Sequence, residues 1–425
     1  MKIKRKTSVI FAISIVWLSS MLSGLTVSAE NAGTSFSSVV NENHIIEDVP
    51  YVSQEDQPYC QFASLAMLVR YYVKNVTLKD ILFNTGVGYS SAYFRPLKLQ
   101  IFPGTAVAQL SLKDTGLFLG DLYGLSYESW RAKVTGDRWE QYWSELKEKI
   151  TQDIPVITEV DPLALPWYKE HFNLPKGAHS GHSIVIVGFN ETAGSIYYND
   201  PGPTVFGEDE QNCTYVPLSI DTFQDALKNH TIPPGISAPT YKIETFEKTS
   251  NPMSKEEIFE KAHNKNIQRM KGRYFEIAYR VVPFTDYGVN GIKAMKRDLG
   301  IGIRHQFATM LLMKIFKNVK FNDSQDNLET SFQLYFLAVE KQNISQYLLE
   351  KQDLSPLCAY EGALLAEEAK HWKNLSTLNN ELFQAAYNRF FKTIIESRPI
   401  IEQMKKELDE IIAIEQAIIS GPSED

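Results

Sequence analysis

The sequence predicts an α+β domain followed by an all-helical one. Between Ile45 and about Glu247, short β-rich runs at Ile154 to Val160, Ser183 to Val187 and Ser195 to Tyr198 stand beside one strong helical stripe. After a polar break from Lys248 to Met253 the character changes, and helical periodicity continues to about Ser420. The chain of 425 residues also exceeds the roughly 250 to 300 residues at which single cores stop growing, so two cores are expected.

Taken in order, Lys2, Lys4, Arg5 and Lys6 precede an apolar run from Val9 to about Leu25, and Val27, Ser28 and Ala29 supply small residues at a cleavage position. Residues 1–29 read as a secretory signal peptide, which predicts a secreted or cell-surface protein. The other reading is an uncleaved anchor, the one route by which this chain would meet a membrane, although serines at 19, 20 and 23 leave the run short for a span. Residues 30–44 are a Ser-, Asn- and Ala-rich linker, 45–247 form the mixed domain, and 254–420 form the helical domain. The helical domain opens on a capping box, Ser254 with Glu257. Its prolines, at 283, 356 and 399, each mark an inter-helix joint. The last helix is expected from about Ile400, with Met404, Leu408, Ile411 and Ile412 on one face, Glu402 paired four residues ahead with Lys406, and Gly421 ending it. Its apolar faces are expected to be spent on its own core or on the first domain, in a structural or docking role, and a protein partner of this domain is the further expectation.

A hydrophobic content of 44% and a charged content of 22% are those of a globular protein. The net charge of −8, with a pI near 5.6, argues against nucleic acid as a partner, because that affinity is built from clustered Lys and Arg. Three cysteines, Cys60, Cys213 and Cys358, are too few for a disulfide scaffold. A pairing of Cys213 with Cys358 would leave Cys60 free.

Cys60 carries the chemical signal. Phe62, Leu65, Ala66, Val69 and Val73 recur at helical spacing, so a buried helix starts at or just after the thiol. The unpaired amides and dipole of a helix N-terminus favour a thiolate there. Gln54, six residues upstream, carries an amide able to join the Cys60 N–H in stabilising an oxyanion. His182 opens the apolar run Ile184 to Val187, and Asp200 follows the next short strand. In an antiparallel pair the two meet, so the carboxylate holds the imidazole while its other nitrogen faces the thiol.

Each assignment has a rival. His179 competes with His182 as base. A metal site of His171, His179 and His182 lacks a Cys or carboxylate at ligand spacing, so neither metal nor cofactor is expected. Asp200 lies in an Asn-Asp-Pro-Gly turn, Gln54 also fits a solvated loop, and Asp161 and Trp167 are candidates to line a substrate cleft.

Gln54 and Cys60 at this spacing before a helix, Gly181 and His182 opening a strand that ends in Gly188, and the run Asn199, Asp200, Pro201 together resemble the papain-like cysteine peptidases that process bacteriocins at a double-glycine leader. The resemblance covers Val49 to Pro201. It implies a papain-like fold and a triad of Cys60, His182 and Asp200, with Gln54 in the oxyanion hole. One departure is Gln61, where the family usually has Gly; it narrows the site or alters the turn. The run Ile154 to Tyr168, His179 to His182 and the helical second domain are similar to the butirosin-biosynthesis protein H type, which implies acyl transfer to an amine. Both reactions pass through a thioester on Cys and differ in the acceptor. Export favours hydrolysis of a peptide or acylated small-molecule substrate; the alternatives are acyl transfer and a catalytically silent binding protein of the same shape.

Overall fold

The computed structural model describes residues 42–55, 57–94, 101–110, 112–171, 181–228, 231–232, 236–237, 241–272, 285–300, 303, 328–388 and 397–422. The expected signal peptide, nearly all of the linker, His179 and Pro283 lie outside the described residues. The fold is α+β, with a mixed N-terminal part and a helical C-terminal region.

Two compact units emerge. The first takes the described residues up to Ile81 together with those from Leu112 to Met253; the second takes those between Leu82 and Ser111 together with those from Ser254 onward. The division after Met253 falls in the polar break. The segment after Leu82 departs from the expected continuous 45–247 domain: its residues make their close contacts with the C-terminal helices, an association for which the chain carries no local signal.

The first unit is built on a seven-stranded antiparallel sheet. Its strands are β1 (Asn43–Ile45), β2 (Leu125–Arg131), β3 (Val156–Val160), β4 (His182–Asn190), β5 (Ser195–Asn199), β6 (Val216–Ser219) and β7 (Lys242–Lys248). They run in the order β2-β7-β3-β4-β5-β6. Strand β4 is central. It pairs with β3 from His182 to Ile186, with β1 from Gly188 to Asn190, and along its other edge with β5. The pairing of β4 with β5 is irregular between Ile186 and Gly188. All of β4 from His182 to Phe189 is buried, as a strand covered on both faces must be.

Two helices provide the cover. Helix α1 (Cys60–Tyr72) is buried from Cys60 to Val69, a wider belt than a single stripe, and Val73 caps its end. Helix α2 (Arg138–Thr151) is started by Asp137, whose carboxylate accepts from the amides of Trp139 and Glu140. Tyr142 of α2 donates to Thr158 Oγ1 at 2.9 Å, and Thr158 pairs with Ile184. Ser183, the next residue along, points to the opposite face, where Gln61 of α1 meets it.

In the second unit, helices α3 (Lys255–Met270), α4 (Leu328–Glu350), α5 (Pro356–Asn388) and α6 (Arg398–Ser420) join a helix at 288–300. The capping box at Ser254 forms with both of its reciprocal bonds. Pro356 and Pro399 stand in the first turns of α5 and α6, where the missing amide costs nothing. Ile292, Met295, Leu299, Leu334, Trp372 and Leu408 are among the buried residues of the core. Met404, Leu408 and Ile411 face it as expected, with Ile412 half-buried against it. Glu402 pairs with Lys405 at 2.8 Å, the i,i+3 neighbour, in place of the expected Lys406. Gly421 ends α6 at a φ of 73°. Among the described residues no helix is long and apolar enough to cross a membrane.

This core also holds charge. Lys341 lies between Glu368 at 2.7 Å and Glu415 at 3.1 Å, with all three side chains at most 2% exposed. Burial, against the pull of Lys341, raises the Glu415 pKa. Replacing Lys341 by Met strands this pair of carboxyls without a cation and should cost about 3 to 5 kcal/mol, since removal of one partner leaves the other's desolvation uncompensated. Thermal melting of the variant checks this, and an unchanged Tm would reject it.

Candidate active site

Cys60 is the first residue of α1 and is 5% exposed. Tyr59, the N-cap, supplies no side-chain acceptor, and no acidic residue lies in the first turn. The leading amides of the helix are therefore not spent on a side chain of their own cap.

His182 begins β4, and the antiparallel return of β5 brings Asp200 back beside it. His182 Nε2 lies 2.7 Å from Asp200 Oδ1, with both side chains buried. The Cys60 side chain is near enough to add to the upward pull on the ring's pKa. With Nε2 engaged by the carboxylate, Nδ1 is the nitrogen left for the thiol. Burial opposes a charged ring, but Asp200 and then Cys60 outweigh it and lift the His182 pKa to about 10. The ring is accordingly an imidazolium across the neutral range.

Asp200 is held from several sides. Its Oδ1 accepts from His182 and, at 2.9 Å, from the Gly202 amide. Its own amide donates to Cys213 O at 2.8 Å, and its carbonyl accepts from Tyr51 Oη at 3.0 Å. Asn199 Oδ1 takes the Tyr215 amide at 2.9 Å, which fixes the turn after β5.

Tyr168 is the residue that sequence reasoning missed. It sits in a short helix, Pro166–His171, and its buried hydroxyl lies 3.3 Å from Asp200 Oδ1 and 3.2 Å from His182 Nε2. Its ring meets the imidazole at 5.2 Å and 61°. Burial, reinforced by Asp200, raises the phenol pKa well above its ordinary value, so it remains a neutral donor to the carboxylate. The only sequence signal was its place beside Trp167, in a stretch broken by Pro162 and Pro166.

Gln54 joins the same loop through its backbone, whose amide donates to Pro201 O at 3.0 Å. Its side-chain Oε1 is buried with no hydrogen-bond partner among the described residues. The two ends of an amide exchange by a flip, so this side chain retains capacity to donate. Ser53 and Tyr51 bond Thr204, so residues 51–54 run beside the 200–204 turn.

Other expectations are revised. Gln61, read as narrowing the site, is 3% exposed and its amide is spent on Ser183 and Glu244. Asp161 does not line a cleft: it is 2% exposed and caps the turn that follows β3, accepting from Leu163 N at 3.0 Å. Trp167 stacks on His171 at 4.3 Å and donates to Glu208. His171 is exposed, and its Nδ1 lies 2.8 Å from Trp167 O. Among the described residues no group of three or more His, Cys, Asp or Glu has metal-site geometry. The three cysteines are free and buried, so the pairing of Cys213 with Cys358 is not made.

A helix-borne thiol, an imidazole on a neighbouring strand and the carboxylate that holds that imidazole are all buried in the first unit. Residues 46–225 match the model of the Peptidase_C39 like family. The match supports a papain-like, cysteine-peptidase relationship for this stretch of the chain. The matched segment contains Gln54, Cys60, Tyr168, His182 and Asp200, and stops before β7 and the C-terminal helices. No curated protein matches the chain.

Gly202 is constrained by this corner. A Cβ there would collide with Tyr168 Oη and lie 3.2 Å from His182 Cε1, although its φ of −86° suits any residue. Gly202→Ala must push Tyr168 off Asp200. A loss of about 100-fold in turnover is expected from such a displacement, and turnover equal to wild type would show that the hydroxyl is dispensable.

Proposed function

We propose that the first unit is a cysteine hydrolase that cleaves an amide or thioester bond through an acyl-enzyme on Cys60. The observation that carries this reading is the series from Cys60 through His182 to Asp200, closed at 2.7 Å on its acid side. In this mechanism the Cys60 sulfur attacks the carbonyl carbon, having given its proton to His182. The carbonyl oxygen becomes an oxyanion, stabilised by the Cys60 N–H and the Gln54 amide. His182 then passes its proton to the departing amine or thiol, and the tetrahedral adduct collapses to a thioester. Water, deprotonated by the same ring, releases the acid. Asp200 keeps the imidazole turned toward sulfur throughout.

The residues assigned to each role need no cofactor for this sequence of steps. The basic and apolar start of the chain supports an extracytoplasmic site of action, which N-terminal sequencing of the mature protein tests: a chain beginning near residue 30 is expected, and an intact Met1 would reject it. For the chemistry, a panel of peptides, isopeptides and acyl thioesters incubated with the protein should yield a mass increase on Cys60 and a free acid product. An amide product formed only when an amine is supplied would establish acyl transfer in its place.

A further inference from the structure

We propose that Gln61 is a positioning residue, clamped between Ser183 and Glu244 so that it fixes the separation of Cys60 and His182; the proposal rests on the reading of Cys60 as nucleophile. Gln61 is covalently next to Cys60, and Ser183 is covalently next to His182. The Ser183 hydroxyl donates to Gln61 Oε1, so a single side-chain bond joins the neighbours of the two reacting residues across the gap between α1 and β4. The other end of the amide is anchored as well: Nε2 donates to Glu244 Oε2 at 2.8 Å. Glu244 is itself immobilised, with Oε1 taking Lys242 Nζ and, at 2.8 Å, Tyr127 Oη. A second tie runs in parallel, from Ser64 Oγ, one helical turn on, to Ser183 O at 3.3 Å.

Gln61, Ser183 and Glu244 are each 3% exposed. Apolar contacts between a helix and a sheet are not directional, and they permit small slides that a nucleophile and its base do not tolerate. An amide held at both ends is directional and sets the register of helix against strand. A purely packing role would be served by an apolar side chain of the same size, without the desolvation of three polar groups.

The test uses the full chain and two variants, Gln61→Met, which keeps the volume, and Ser183→Ala, which removes only the bridging hydroxyl. Two quantities are read: the rate of Cys60 alkylation by iodoacetamide near neutral pH, and the titration midpoint of His182 by NMR of its imidazole. A clamp predicts that alkylation falls about 10- to 100-fold and that the midpoint moves down, because the Cys60 contact that helps raise it is loosened. Tyr142→Phe, which removes the buried bond to Thr158 in the same unit, should lower the melting temperature and leave both quantities unchanged. If Gln61→Met does not fold, Ser183→Ala decides alone. Clamp variants that behave like Tyr142→Phe would overturn the proposal. Wild-type protein with an unreactive Cys60 would instead sink the catalytic reading beneath it.

Discussion

Cys60→Ala is expected to abolish turnover, with a fall of about a millionfold, the scale seen when a covalent nucleophile is removed. It should also abolish iodoacetamide labelling near neutral pH. The second expectation is sharper than it looks, because the chain has two further thiols. Both are buried, and burial raises the pKa of each, Cys213 and Cys358 alike, to about 11. Neither offers appreciable thiolate at neutral pH, so the wild type should take up one label and the variant none. Peptide mapping locates it. The fold is retained, since Ala fits where a small buried thiol stood, and an unchanged circular dichroism spectrum shows this. Undiminished turnover in Cys60→Ala would remove Cys60 from the mechanism altogether.

The second large effect belongs to Asp200. Asp200→Ala deletes the acceptor shared by His182, Tyr168 and Gly202 and frees the imidazole to rotate. A loss of about 100- to 10,000-fold is expected, the range of a general acid–base contribution. Asp200→Asn separates orientation from charge. The amide oxygen still accepts from Nε2, but the negative charge that outweighs burial at His182 is gone, so the ring's pKa must fall from about 10. The alkaline limb of the pH–rate profile, where His182 loses its proton, moves to lower pH with it. The same group sets a stability term of known sign. A histidine whose folded pKa lies above its unfolded value near 6.5 stabilises fully below that value, and the contribution is lost as pH climbs to about 10. The melting temperatures of wild type and Asp200→Asn should therefore differ most near pH 6 and converge toward pH 10. A constant difference would deny that His182 carries a raised pKa.

Much of this site was legible because it rests on local patterns. The apolar recurrence after Cys60 could only be a buried helix, and α1 does begin at that residue. Ser183 to Val187 read as a β-rich run and lies within β4, whose antiparallel return through β5 brings Asp200 to His182. The capping box at Ser254 was readable because both bonds lie within four residues. What stayed hidden depends on contacts distant in sequence. Tyr168 reaches His182 only through the tertiary path of a proline-broken segment. Gln61 read as narrowing the site or altering the turn because nothing near it announces Glu244, 183 residues further along the chain. Asp161 looked like a cleft residue because a capping carboxylate and a cleft carboxylate share the same composition. The residues after Leu82 gave no sign that they pack with the C-terminal helices: Glu340 takes the amides of Gly104 and Thr105, a bond more than two hundred residues long in sequence.

The central claim is that His182 makes the Cys60 sulfur a nucleophile. Intact-protein mass spectrometry of wild type and His182→Ala, each exposed to iodoacetamide over a time course near neutral pH, measures this directly. One adduct on Cys60 in the wild type, formed at least about 100 times faster than in His182→Ala, is the predicted result. Equal rates in the two proteins would contradict it.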